Sequence, residues 1–382
     1  MVLHNVTMPN GTGHMSIKIT DGKIAGIYND KIDDDDAQLD LNGAYVFPGL
    51  INSHDHLDFN LFNQLGNRCY KNYMEWGKHL HGHHKTEINK VLKVPQPLRE
   101  QWGLIKNLIA GVTTVVNHGE KIKTPDPIIT VFEHYYCIHS VGFEKKWLLK
   151  LNNPLKTKYP VVVHIGEGTD PAAFDEINRL LRWNLLRKPV IGVHGVAMNG
   201  EQAARFEALV WCPQSNYFLL HKTADVNVLK KHTKILFGTD STLTGNWSIW
   251  DHIAQARKTG MLSDAELYNS LTENAANIWG INSGKLVVGA DADLIITAPK
   301  NEIAGQEAFF LTEPRDILLV MHKGKIKLAD ASLKNQVCKT DMMDFSEIKI
   351  EGITKYIASD VPGLTSEIKH YYPEATFPIE ID

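Results

Sequence analysis

Between residues 48 and 280 the chain repeats one unit, a short apolar run followed by a helix-like segment. The runs are Gly49-Leu-Ile-Asn-Ser-His54, Thr113-Thr-Val-Val-Asn117, Tyr135-Tyr-Cys-Ile-His139, Pro160-Val-Val-Val-His164, Val190-Ile-Gly-Val-His194, Leu209-Val-Trp-Cys212 and Ile235-Leu-Phe-Gly-Thr239. Several lack polar alternation, as expected of strands buried on both faces of a parallel sheet. The pattern is that of successive βα units. A span of 233 residues (280 − 48 + 1) suits a (β/α)8 TIM barrel, typically about 250 residues. Seven strands are legible, so an eighth has to lie within 141–158. A doubly wound open sheet is the alternative architecture.

The two ends of the chain share a different grammar. Ser16 to Ile27 alternates apolar and polar residues around Asp21-Gly22, a hairpin signal. Asp21-Gly-Lys-Ile24 is matched by Lys323-Gly-Lys-Ile326, which follows the apolar stretches 284–296 and 316–322. The expected organisation is a composite β-sandwich from residues 1–47 and 283–330, flanking a barrel over 48–282. The acidic run Asp33 to Asp36 reads as a solvated turn. The tail 331–382 has little assignable apolar periodicity.

Composition narrows the function. The net charge of −4 and the absence of long basic runs speak against nucleic-acid and membrane-surface partners. No apolar stretch reaches the length of a membrane span, and the N-terminus lacks the three-part pattern of a secretory signal. Four scattered cysteines, Cys69, Cys137, Cys212 and Cys338, have neither C-x-x-C spacing nor disulfide-like density, so a reduced cytoplasmic protein is expected. Gly-x-Ser-x-Gly, dinucleotide and phosphate-loop patterns are absent from the sequence.

Eighteen histidines make metal chemistry worth testing. His54 and His56 are two apart, so on an extended strand both face the barrel interior. His164 and His194 each close an apolar run, and Asp240 follows another. Active sites of such barrels gather at the C-terminal strand ends, so these residues should converge. An H-x-H triplet alone is weak: His79/His81 and His81/His83 match it too, in a polar stretch read as a solvated or lid loop. Glu167 lies one step past His164, where a hydrolytic metal site needs a proton carrier. Three histidines and a carboxylate suit a divalent ion that brings the pKa of bound water to about 7.

Pro48-Gly-Leu-Ile-Asn-Ser-His-Asp-His56, His164-x-x-Glu167, Gly192-Val-His194-Gly, Cys212-Pro-Gln-Ser-Asn216 and Phe237-Gly-Thr-Asp240 together resemble the successive motifs of the amidohydrolase superfamily. The match is best to the branch of cytosine, guanine and adenosine-type deaminases and triazine hydrolases, and covers about residues 1–330. The resemblance implies that His54, His56, His164 and Asp240 bind one metal and that Glu167 shuttles protons. It further implies that His194 contacts the attacking water or polarises the group under attack, that Asp240 also takes a proton, and that the protein is a homo-oligomer. The chain departs from the branch in its short stretch between the second and fifth strands and in Asn117-His118-Gly119, where an acidic residue is expected. Both departures bear on the substrate rather than the metal.

The expected reaction is hydrolysis of a non-peptide C–N bond of a small-molecule substrate, with deamination of a small nitrogen heterocycle leading. Hydrolysis of a cyclic amide or ring substituent, as by chlorohydrolases or imidazolonepropionases, is the first rival; a silent scaffold is the second. The ligand set suits zinc and also accepts iron or manganese. A bridging lysine for a second metal finds no apolar strand among Lys145, Lys146, Lys150, Lys156 and Lys158, so one metal is expected. The segment 58–102 is too long for an ordinary βα loop and reads either as a lid or as a helical segment packing its aromatics on the barrel. Arg68, Trp76 and Trp247 are its candidate substrate contacts and those of the pocket edge; Cys212 is assigned to packing.

Overall fold

The computed structural model describes residues 1–381 apart from 10, 12, 33–36, 301, 302, 304 and 338–343; the acidic run and Cys338 therefore lie outside the described residues. Eight parallel strands are present among them. Leu50–Asp55, Val112–Asn117 and Thr130–Phe132 form one sheet. Tyr136–Ser140, Val161–Ile165, Val190–His194, Ala208–Trp211 and Lys234–Phe237 form the other, and both run in sequence order. Several of these strands are buried at every position, which explains their unbroken apolar runs.

The two sheets abut where the first strand meets the last. Asp55 and Asp240 form a parallel bridge, the His56 amide donates to the Asp240 carbonyl at 2.7 Å, and the Thr239 amide donates to the His54 carbonyl at 3.0 Å. No ladder joins Phe132 to Tyr136 among the described residues, so the architecture expected as a barrel appears as two parallel sheets meeting along one seam. The eighth strand is not within 141–158, which instead holds the helix Trp147–Leu151. It is Thr130–Phe132, three residues long and three residues before the next strand, too short to give a periodic signal.

Strands from the two ends of the chain do pair. Tyr45–Pro48 lies antiparallel to Leu294–Thr297, with Pro48 opposite Leu294. The result is one continuous hydrogen-bonded sheet of ten strands drawn from both chain ends; its connectivity does not by itself divide it into two facing sheets. The matched hairpin turns converge on Ala292, whose amide donates to the Gly22 carbonyl at 2.8 Å and whose carbonyl accepts from the Gly324 amide at 3.0 Å.

The tail is an ordered part of this body. Ser346–Ile350 and Ile353–Ile357 extend the same sheet. The helix Val361–Tyr371 packs on the helix Gln96–Ile109, and Phe377 meets Trp102 edge-on at 4.6 Å between ring centroids. Fully buried Lys355 ties tail to sheet by donating to the Arg315 and Ile317 carbonyls and to Asp330, at 2.7–2.9 Å. The tail gave no sequence signal because its apolar residues are spread over two short strands and one helix. No helix among the described residues is long and apolar enough to cross a membrane.

Candidate metal centre

His54 and His56 lie at the seam between the sheets, and the strand end Phe237-Gly-Thr-Asp240 passes directly over them. Gly238 permits that approach: a Cβ there would stand 2.7 Å from the Cβ of His54. His194 and Asp240 both take left-handed backbone conformations, with φ of 74° and 66°. Each costs on the order of 1–3 kcal/mol and turns its side chain over the strand ends.

The separations around the centre are regular. His54 Nε2 lies 3.2 Å from His164 Nε2, and His56 Nε2 lies 3.3 Å from the same atom. Asp240 Oδ1 lies 3.4 Å from His54 Nε2 and 3.5 Å from His56 Nε2. An ion with bonds of 2.0–2.1 Å holds neighbouring ligand atoms about 2.9–3.4 Å apart, so the four separations leave room for one cation. Hydrogen bonds orient two of the ligands. His164 Nδ1 lies 2.7 Å from the His139 carbonyl, an acceptor only, so the proton is on Nδ1 and the Nε2 lone pair points inward. Asp240 Oδ2 accepts from the Ser215 and Thr244 hydroxyls, each at 2.7 Å, leaving Oδ1 free. His54 Nδ1 is buried and has no hydrogen-bond partner among the described residues. Inward nitrogens packed this closely, one with its lone pair fixed, are matched by a cation, so the residues present fit a divalent ion.

His194 Nε2 also approaches the centre; one ligand atom each from His54, His164, His194 and Asp240 lies within 4.8 Å of the others. A buried relay decides what His194 offers. Trp211 Nε1, a donor only, reaches Thr223 Oγ1 at 2.6 Å. The Thr223 hydroxyl donates in turn to Asn216 Oδ1 at 3.2 Å, which turns the Asn216 amide toward His194 Nδ1 at 2.9 Å. His194 Nδ1 is therefore an acceptor, and the neutral imidazole carries its proton on Nε2. His194 presents an N–H to the centre, whereas His164 presents a lone pair.

Electrostatics separate the two carboxyls. Burial, then the nearby Asp240 and Glu176 carboxylates, push Glu167 well above the usual range. Asp240 is equally buried, yet the His54 ring 3.4 Å away and the His194 and His56 rings hold it well below that range. Burial presses His56 down to about 4, with His54 adding to it, and His194 to about 3. The site thus pairs a carboxyl whose ionisation burial resists with one held toward its charged form, the arrangement that divides acid from base roles. Glu167 Oε2 lies 3.7 Å from His194 Nε2.

The segment 58–102 covers this centre. Its helices Tyr73–His83 and Lys85–Leu92 roof a cavity of about 450 Å³ over His56, His164, Glu167 and Asp240. The roof is fastened to the Glu167 loop: the Tyr73 amide donates to the Glu167 carbonyl at 3.0 Å, and Asn72 pairs with Gly168. The stretch from His79 to His83 is helical, not a loop, because the Asn72 side chain caps the helix on the Glu75 amide; His81 faces the cavity.

Of the expected substrate contacts, Trp76 lines the cavity. Arg68 does not: it is exposed, 3.4 Å from Glu75 and stacked on Tyr70. Trp247 lines a separate outer cleft of about 990 Å³. Cys212 is buried with its thiol pushed well up, as a packing residue should be. Two histidines at the centre were not anticipated. His118 packs 4.1 Å from the His164 ring, and His139 lies beside it at 5.1 Å. His139 closes an apolar run just as His164 does, so the same signal was present. No lysine lines the cavity among the described residues.

Residues 156–327 match the model of the amidohydrolase family. A 5'-deoxyadenosine deaminase of Methanococcus aeolicus is 23% identical over 212 residues, covering 50% of this chain, and the chain spans about half the length of that relative, 49%. The structure of an adenosine deaminase from Xanthomonas campestris with bound zinc superposes with a TM-score of 0.70 at 16% identity, over 98% of each chain. A guanine deaminase from C. acetobutylicum with bound guanine superposes with a TM-score of 0.65 at 16% identity, covering 85% of this chain and 99% of that one. Residues 156–327 carry the match to the amidohydrolase family, and the fold that holds the whole site is the one these deaminases share.

Proposed function

We propose that the protein hydrolyses a non-peptide C–N bond, deaminating a small nitrogen heterocycle, with one divalent cation held by His54, His56, His164 and Asp240. The observation that carries the reading is the meeting of four ligand atoms, successive ones 3.2–3.5 Å apart, with a Glu167 whose ionisation burial resists and an Asp240 held toward its charged form. The cation, zinc in this reading with iron or manganese as alternatives, supplies a nucleophilic water at neutral pH. Asp240 takes a proton from the attacking water and returns it to the leaving amine. Glu167 delivers its own proton to the ring nitrogen and is recharged from the hydroxyl added to carbon. The His194 N–H steadies the oxygen that adds to the sp² carbon. Ammonia leaves, and a carbonyl takes its place.

The same reading takes the eight strands as staves of a (β/α)8 barrel over 48–282, with residues 1–47 and 283–330 as an accessory β unit and 331–382 as its continuation. A reduced cytoplasmic setting, supported by the unpaired thiols of Cys69, Cys137 and Cys212, and a homo-oligomer belong to it too. The test is ammonia release by zinc-loaded protein from a panel of amino-purines, -pyrimidines and -triazines. Ammonia with a carbonyl product supports deamination. Turnover confined to cyclic amides or halogenated rings would replace deamination with the rival hydrolysis.

A further inference from the structure

The cavity above the centre has a chemistry of its own. Its walls are Phe59, Phe62, Trp76, Leu80, Phe143 and Leu243, and no lysine, arginine, asparagine or glutamine lines it among the described residues. Even the polar atoms of its aromatic walls are turned away. Trp76 Nε1 donates to the Leu65 carbonyl at 2.8 Å, and the Tyr73 hydroxyl donates to Glu176 at 2.7 Å. The Thr244 hydroxyl is held by Asp240. Polar groups remain at the floor, around the centre, and at the exposed His81 and His139.

The aromatic wall is also built in at a cost. Gly77 lies inside the helix Tyr73–His83, where glycine loses about 1 kcal/mol against alanine. A Cβ there would stand 2.8 Å from the Phe143 ring, so the glycine makes room for Phe143. Phe143 is 44% exposed at the mouth of the cavity, held there edge-on against the Tyr73 ring at 5.2 Å between centroids.

We infer that the substrate is a compact amino-substituted head carrying an uncharged apolar body, aliphatic or aromatic, that fills this chamber. The inference rests on the C–N hydrolase reading for its head and on the walls alone for its body. Free bases and ribosides would bring hydrogen-bonding edges and hydroxyls against the apolar walls, where few side chains can answer them, an unfavourable exchange. Substrates bearing phosphate or carboxylate would meet no cationic side chain beyond the centre itself.

The experiment compares adenosine with 9-benzyladenine, which share ring and leaving group and differ in a polar or apolar body. Dissociation constants are measured calorimetrically on zinc-loaded protein, and ammonia release is followed in parallel. The expected result is that 9-benzyladenine binds about 100-fold more tightly, the scale of burying one aromatic group. Phe143→Glu, at a half-exposed position, should remove at least about tenfold of that preference. Equal affinities, tighter adenosine binding, or a preference untouched by Phe143→Glu would overturn the inference. If the preference holds while neither compound releases ammonia, the chamber stands and the proposed reaction is what fails.

Discussion

Replacing Asn216 with aspartate exchanges one NH2 for an oxygen and little else in shape. The amide that donates to His194 Nδ1 at 2.9 Å becomes an acceptor, so two lone pairs would face each other unless the imidazole proton moves from Nε2 to Nδ1. The Thr223 hydroxyl, 3.2 Å from Oδ1, still has its acceptor, and Trp211 still has Thr223, so the relay survives with its last link reversed. The centre then loses the one N–H that His194 aims at it. Losing a donor placed where charge develops costs about 10²–10³ in kcat, about 2.7–4 kcal/mol of barrier. Asn216→Asp should therefore lower kcat by that factor with KM nearly unchanged and the metal content intact. Steady-state kinetics, together with the ¹⁵N shifts of the His194 ring, read both consequences. A kcat within about threefold of the parent, or ring nitrogens that keep the Nε2–H pattern, would show that the relay does not set the tautomer.

Other perturbations test separate links. Glu167→Gln should lower kcat by about 10²–10⁴, while its melting temperature stays at or above the parent's, because the buried carboxyl that resists ionisation is gone. A melting temperature well below the parent's would mean that Glu167 is structural. His252, away from the centre, is held down to about 4 by burial while its Nε2 donates to the Asn246 carbonyl. The unfolded chain binds a proton below pH 6.5 that the folded chain refuses, so stability is full above 6.5 and falls by about 1.4 kcal/mol per pH unit toward pH 4. Denaturant titrations of His252→Gln, which keeps the donor, should show a correspondingly flatter acid limb; a slope equal to the parent's would contradict this. Lys355→Met strands Asp330 and two carbonyls in a buried place and should cost about 3–5 kcal/mol. A loss below about 1 kcal/mol in denaturant unfolding would detach the C-terminal strands from the folding unit.

The strand ends were legible because both of their signals are local. An unbroken apolar run marks a strand buried on both faces, and a ligand-type residue at its end marks where the strands converge; His54, His56, His164, His194 and Asp240 carry both marks. His139 carries them too, yet its role is to hold His164 through a backbone carbonyl, which residue type cannot disclose. Thr130–Phe132 escaped because three residues give no period. The roles of Ser215 and Asn216 stayed hidden although their motif was visible, since the direction of a hydrogen bond depends on Thr223 and Trp211 across the fold. Arg68 was read from its place in the long segment 58–102 and Trp247 from its closeness in sequence to Asp240. Exposure beside Glu75 and a place in the outer cleft remove them from the cavity, and only the path of the chain could show that.

Metal analysis of the purified protein, combined with anomalous diffraction at the metal edge, is the most direct measurement of the central claim. The account predicts one divalent ion per chain, bonded at about 2.0–2.1 Å to Nε2 of His54, His56 and His164 and at a similar length to the carboxylate of Asp240, with His194 standing off. A chain without stoichiometric metal, or an ion that takes His194 in place of His56, would contradict it.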